Sequence, residues 1–248
     1  MSNWLNPDNK ILCFMGKVFD VVVLNTIWLL LCVPLPVLTI VWIAQTGSFW
    51  FLILTVLTLL PIVPATTALY YAIVKSVRRE RSYAIKEFFR SFILNFKQGI
   101  VFSFIALTFA VVLYIDFIYA LDLMNAKGSS GSIFLGVFFV ITLLLCSMYA
   151  YACPVLSRFE MKTTGILKIS FVMAARHFPT TLLLLVILVA TVLGCWFLLP
   201  GIFFLPAVAV LLESFLLERV FRMYMPEKEE AEEGEEETGR KKDEWYLE

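Results

Sequence analysis

Pro64-Ala65-Thr66-Thr67-Ala68-Leu69-Tyr70-Tyr71-Ala72-Ile73-Val74 closes one apolar segment and runs straight into a basic patch. The patch holds Lys75, Arg78, Arg79, Arg81, Lys86, Arg90 and Lys97 against only Glu80 and Glu87, and a second apolar segment follows Gly99. Between Ser82 and Lys97, Ile85, Phe88, Phe89, Phe92, Ile93 and Phe96 recur at three- and four-residue steps. Lys86, Glu87, Arg90, Asn95 and Lys97 take the other side, which predicts an amphipathic helix. Two placements fit it. The helix lies in a membrane interface, aromatics in the acyl boundary and cations among headgroups, or it docks on its own transmembrane bundle. Both put the loop in the cytoplasm, and both make this an all-α membrane protein.

Composition agrees. Hydrophobic residues make up 60% of the 248 and charged residues 16%, far from the balance of a soluble domain. The apolar excess comes in blocks of roughly twenty residues, the length a helix needs to cross a bilayer. The zero net charge is a cancellation. Residues 1–225 carry sixteen Lys/Arg and nine Asp/Glu, and residues 226–248 carry four and eleven. A cationic body thus precedes an acidic stretch. Cys13, Cys32, Cys146, Cys153 and Cys195 have neither zinc-ligand nor redox-motif spacing and read as small core hydrophobes. The first residues lack the cationic and apolar regions of a cleaved signal peptide.

Six spans are expected, with residues 1–17 as an interfacial lead-in. The first, roughly Val18 to Ile43, should kink at Pro34 and Pro36. The second, roughly Phe49 to Val74, is interrupted at Pro61 and Pro64. Such breaks free backbone carbonyls that protein or water must satisfy, so they either line a substrate path or pack as kinked helices. The third span covers roughly Ile100 to Leu121, a polar turn runs from Asp122 to Ser132, and the fourth covers roughly Ile133 to Leu156. A second cationic loop, Ser157 to Pro179, carries Arg158, Lys162, Lys168, Arg176 and His177, and a weaker amphipathic helix. The fifth and sixth spans cover roughly Thr180 to Leu199 and Ile202 to Leu217. Lys10, Lys17, both loops, Arg219 and Arg222 fall on one side and only Lys127 on the other. By the positive-inside rule both termini are cytoplasmic. A proline-bounded span, a basic loop and another span occur at Pro64–Gly99 and at Pro154–Pro179, a pattern compatible with parallel duplication.

Two domains follow: a six-span domain over 1–225 and a disordered acidic cytosolic tail over 226–248. The tail is too polar to offset its ordering entropy, though Trp245-Tyr246-Leu247 could dock.

No catalytic constellation or phosphate loop is present, and no cofactor is expected. His177 is the only histidine and reads as a helix-end residue at the interface. Asp20, Asn25, Asp116 and Glu213 are the candidate functional polar residues in or near spans. An ionisable group near mid-bilayer costs roughly 2.5–3.5 kcal/mol on insertion scales, which makes such positions candidates. Arg78, Arg79, Arg81, Arg90, Lys97, Arg158, Arg176 and His177 form a candidate cytosolic docking surface.

The chain resembles the YesL-like family of bacterial integral-membrane proteins, a domain of unknown function, over most of residues 14–226. The resemblance rests on Phe19-Asp20 with Leu24-Asn25 and Trp28, then Pro36-Val37-Leu38-Thr39, and Pro64 through Tyr71. It continues in Phe88-Phe89-Arg90-Ser91-Phe92 with Asn95-Phe96-Lys97-Gln98, and in Pro154-Val155-Leu156-Ser157-Arg158-Phe159-Glu160. Arg176-His177-Phe178-Pro179 and Leu217-Glu218-Arg219-Val220-Phe221 with Tyr224 complete it. Two departures stand out: residues 40–63 lengthen a region the family keeps short, and Glu213 stands where the family usually has an uncharged polar residue. The resemblance implies a multi-span protein without established biochemical activity. It also implies genes placed beside ATP-driven carbohydrate importers and polysaccharide-degrading enzymes. The chain lacks the cytosolic Glu-Ala-Ala loop by which importer permeases engage their ATPase. The expectation is therefore a non-enzymatic accessory or modulatory subunit in the cytoplasmic membrane. Its expected partners are the bilayer and permease subunits of a carbohydrate ABC importer, and not nucleic acid. A small transporter or channel using the proline-broken spans is the alternative.

Overall fold

Proline placement sets where the first helices begin and end. In the computed structural model, which describes residues 10–78, 83–127, 129–159 and 161–224, α1 (Lys10–Cys32) stops two residues before Pro34. Pro34 opens α2 (Pro34–Thr46), as expected of a residue that tolerates the first helical turn and breaks an interior one. Gly47, at φ 62°, closes α2 by donating its N–H to Ile43 O at 2.8 Å. α3 (Phe49–Leu59) ends before Pro61, and α4 (Ile62–Ala72) continues as a π-helical turn, Ile73–Arg78. The interruption expected at Pro64 does not occur. Pro64 falls in the first turn of α4, where an N–H has no helical partner to lose.

The remaining described elements are α5 (Ala84–Lys127), α6 (Ser129–Arg158), α7 (Thr163–Arg176), α8 (Phe178–Phe197), a 3₁₀ turn (Leu199–Phe203) and α9 (Leu205–Phe221). The described residues form helices and turns, with no strand among them.

Two expectations need correction. The amphipathic loop helix and the third span form one 44-residue helix, α5, because no proline separates them. At 1.5 Å per residue, α5 is roughly 66 Å long, more than twice a hydrocarbon core of about 30 Å. The polar turn expected from Asp122 to Ser132 is likewise mostly helical, since α5 reaches Lys127 and α6 starts at Ser129. The second loop helix is a separate element, α7. The two basic loops are therefore built differently, and the duplication read from them finds no support in the elements.

Five helical stretches among the described residues are long and apolar enough to cross a membrane. They are Met15–Thr46, Phe49–Val77, Ala84–Asn125, Gly131–Arg158 and Phe178–Phe197. α9, with 17 residues, is shorter than these.

Packing is lopsided along the helices. The core is built from Leu24, Leu69, Ile73, Phe88, Tyr151, Val155, Ile166, Met173 and Leu217, which lie toward the ends carrying the cations. Toward the other end Phe109, Val112, Tyr114, Val137, Val140 and Val192 are exposed. Ala65, Ala68 and Ala72 form a fully buried small-residue face on α4, which lets neighbouring helices approach closely. Gly99 of α5 lies against Pro64 so tightly that a Cβ would come within 2.8 Å of the ring.

Candidate functional site

The cationic end is assembled by side chains reaching between elements. Lys75, in the π turn after α4, donates to Glu87 Oε2 on α5 at 3.1 Å and to Tyr71 Oη at 3.2 Å. Its ammonium also stands 5.3 Å from the Tyr71 ring centre, a cation–π distance. Directly after Lys97, Gln98 donates to Met161 O at 2.7 Å and pins the approach to α7 onto α5. The Arg158 guanidinium lies 5.9 Å from the Phe221 ring, which Phe159 also meets edge-on. His177, between α7 and α8, places Nε2 3.4 Å from Tyr224 Oη just past α9. Thr181 donates to Ala174 O at 2.9 Å, which leaves Tyr151 Oη to donate to Thr181 at 3.1 Å across α6 and α8.

Outside this knitted layer lies an open cationic surface. Lys86, Arg90 and Lys97 on α5, Lys168 and Arg176 on α7, and Arg219 and Arg222 at the end of α9 are exposed. Of the expected docking residues, the structure therefore presents Arg90, Lys97 and Arg176 outward. Arg158 and His177 are half-buried in the layer beneath. Arg78 ends the π turn, while Arg79 and Arg81 lie outside the described residues.

Half of the amphipathic pattern on α5 is core. Ala84, Glu87, Phe88 and Ser91 are buried against the bundle, while Ile85, Phe89, Ile93 and Phe96 stay exposed. This combines the two placements read from the sequence: the helix docks on its own bundle and still presents aromatic and aliphatic residues outward.

The four polar candidates are not gathered into one site. Asn25 is fully buried and works as a cross-helix cap. Its Nδ2 donates to Ile202 O, and its Oδ1 accepts the Ala207 N–H, each at 2.9 Å. α9 has no side-chain cap of its own, so Asn25 on α1 satisfies one of its first-turn donors. Asp20 and Asp116 are half-buried, near opposite ends of the bundle by their positions in α1 and α5. Glu213 is buried on α9 with 6% exposure.

At the proline break between α3 and α4, Ser103 Oγ on α5 donates to Leu60 O at 2.6 Å. Within α2, Thr39 Oγ1 makes a local bond back to Pro36 O at 2.9 Å. A cavity of about 230 Å³ opens between α5, α6 and α8, lined by Phe102, Phe109, Leu145, Tyr149 and Leu188 among others. None of Asp20, Asn25, Asp116 and Glu213 lines it. Among the described residues no three His, Cys, Asp or Glu side chains gather as a metal site.

Residues 21–117 match the family described as Protein of unknown function, DUF624. The YesL-like proteins belong to it, which agrees with the resemblance seen in the sequence. The DUF624 match spans Asn25, the α2–α3 hairpin, the small-residue face of α4, the Lys75–Glu87 pair and most of α5. No curated protein and no solved structure gives a significant match.

Sequence reasoning missed the Lys75–Glu87 bridge, because both residues were counted only as charges of one loop. Nor does the sequence show that Asn25, a candidate functional polar residue, caps α9. The partner groups are backbone atoms 177 and 182 positions away, and no local pattern signals them.

Proposed function

We propose that the protein is a non-enzymatic accessory or modulatory subunit of an ATP-driven carbohydrate importer in the cytoplasmic membrane. It would engage the permease subunits through its cationic end. α9 would serve as a short sixth span, both termini would be cytoplasmic, and Arg78, Arg79, Arg81, Arg90, Lys97 and Arg176 would make the docking surface. The importer itself is named by the family resemblance, which implies neighbouring importer genes. The observation that carries the docking reading is the outward stripe of α5, where exposed apolar residues stand beside exposed cations on a rigid helix. An apolar patch bordered by charge is what a recognition surface looks like.

A small transporter is the second reading, and buried Glu213 is the observation that favours it. Against it, the carbonyl at the proline break between α3 and α4 is met by Ser103 rather than left as polar wall.

Mild-detergent co-purification from the native host under sugar-inducing conditions tests the proposal. Importer permease subunits should accompany the unmodified protein, and the combined Arg90→Glu and Lys97→Glu change should remove them without loss of insertion. Absence of those subunits from the unmodified preparation would put the transporter reading ahead.

A further inference from the structure

We propose that the acidic stretch after α9, residues 226–248, is an intramolecular ligand for the exposed stripe at the start of α5. The stripe is defined by Ile85 (49% exposed), Phe89 (44%), Ile93 (72%) and Phe96 (36%), at steps of four, four and three residues. Lys86, Arg90 and Lys97 each follow a stripe residue by one position, so the cations border one flank. On the other flank Phe88 and Phe92 turn into the bundle. The stripe thus offers apolar sockets with an adjoining row of positive charge.

The bilayer is a poor cover for it. Residues 100–121 of α5 already extend roughly 33 Å and fill a hydrocarbon core, leaving about 24 Å of helix before them. A cover must therefore come from the aqueous side, be acidic, and bring apolar side chains.

Residues 226–248 meet all three conditions. They carry eleven Asp/Glu against four Lys/Arg, and they contain Trp245-Tyr246-Leu247. They also start in the right place. α9 packs on the π turn Ile73–Arg78, which in turn packs on α5, and Tyr224 sits at His177 on the same end. From there 23 residues reach up to roughly 75 Å when extended, against a stripe about 20 Å long. Read alone, this stretch has too little apolar content to order itself. The stripe supplies the surface it lacks. This is the surface proposed above to meet a permease, so the stretch occupies it when no partner is bound. Both components belong to one chain, and a test on the purified protein reads this contact alone.

The test uses the purified full chain in nanodiscs, with a photoreactive benzophenone amino acid in place of Tyr246 and adducts mapped by mass spectrometry. Adducts should concentrate on residues 85–97 of α5 rather than on the equally cationic α7. They should persist when a third of the lipid is anionic. Lys86→Glu, Arg90→Glu and Lys97→Glu together should cut the yield about fivefold, the effect of surface pairs worth about 1 kcal/mol in total. Raising salt from 0.1 M to 1 M, where the Debye length falls from about 10 Å to about 3 Å, should lower it in the unmodified chain. Adducts spread evenly over α5 and α7, or a yield indifferent to both charge reversal and salt, would overturn the proposal. So would loss of the adducts on adding anionic lipid, which would make the membrane surface the occupant.

Discussion

α3 and α4 follow one another in the chain, and each has eleven residues, yet α4 buries eight of them and α3 buries none. α3 is the more apolar, reading Phe-Trp-Phe-Leu-Ile-Leu-Thr-Val-Leu-Thr-Leu, and it packs chiefly on α2, with Trp42 stacked on Phe51. α4 has Ala65, Ala68 and Ala72 on one face, and Thr66 accepts the Trp28 Nε1–H from α1 at 3.1 Å. In a bilayer, lipid tails satisfy a leucine as well as another leucine does, so apolarity does not select what is buried. Close approach through small residues, together with hydrogen bonds between helices, selects it. The same contrast holds between the two ends of the molecule. The cationic end is knitted by Lys75–Glu87, Gln98 and Tyr151–Thr181, while the far end exposes many of its aliphatic residues.

Substitutions can break this comparison. The largest effect is expected from Ala68→Leu, which forces a branched side chain into a fully buried face. Overpacking of this kind costs up to about 3 kcal/mol, read as a lowered melting temperature or loss of monodisperse protein in detergent. Asn25→Ala comes next. It leaves Ile202 O and the Ala207 N–H without their partner, two interhelical bonds worth roughly 2 kcal/mol together. Lys75→Ala removes a half-exposed ammonium from Glu87 and Tyr71, and about 1 kcal/mol is expected. Leu54→Ala on α3 should be the smallest, within about 0.5 kcal/mol. If Leu54→Ala proved as costly as Ala68→Leu, the distinction between a knitted and a lipid-solvated part would fail.

The class of the protein was legible because roughly twenty-residue apolar blocks and proline positions act locally. Pro34 and Pro61 mark helix ends in the structure as they do in the sequence. The continuity of α5 was not legible. The pattern predicts one helix over 82–97 and a span from roughly Ile100, and the change from an amphipathic to an apolar pattern looks like a helix end although no proline separates them. Which apolar residues form the core was also hidden, because Phe88 is fully buried and Phe89, one step on, is 44% exposed. The candidate docking surface was partly legible. Arg90, Lys97 and Arg176 face outward as cations on a membrane protein should, whereas Arg158 and His177 are drawn beneath by Phe221 and Tyr224. Polar residues in spans invited a transport reading, and for Asn25 the geometry is that of a cap. Nothing in a hydropathy pattern separates a cap from a path.

The placement of the knitted, cationic end on the cytoplasmic side is the claim on which the docking reading rests. Impermeant thiol labelling of intact cells measures it, with single cysteines introduced as Ser82→Cys and Ser129→Cys in a background free of the native cysteines. The expected result is reaction at position 129 only, with position 82 reacting after the cells are opened. Labelling of position 82 but not 129 in intact cells would contradict it and turn the proposed docking surface outward, away from any cytoplasmic partner.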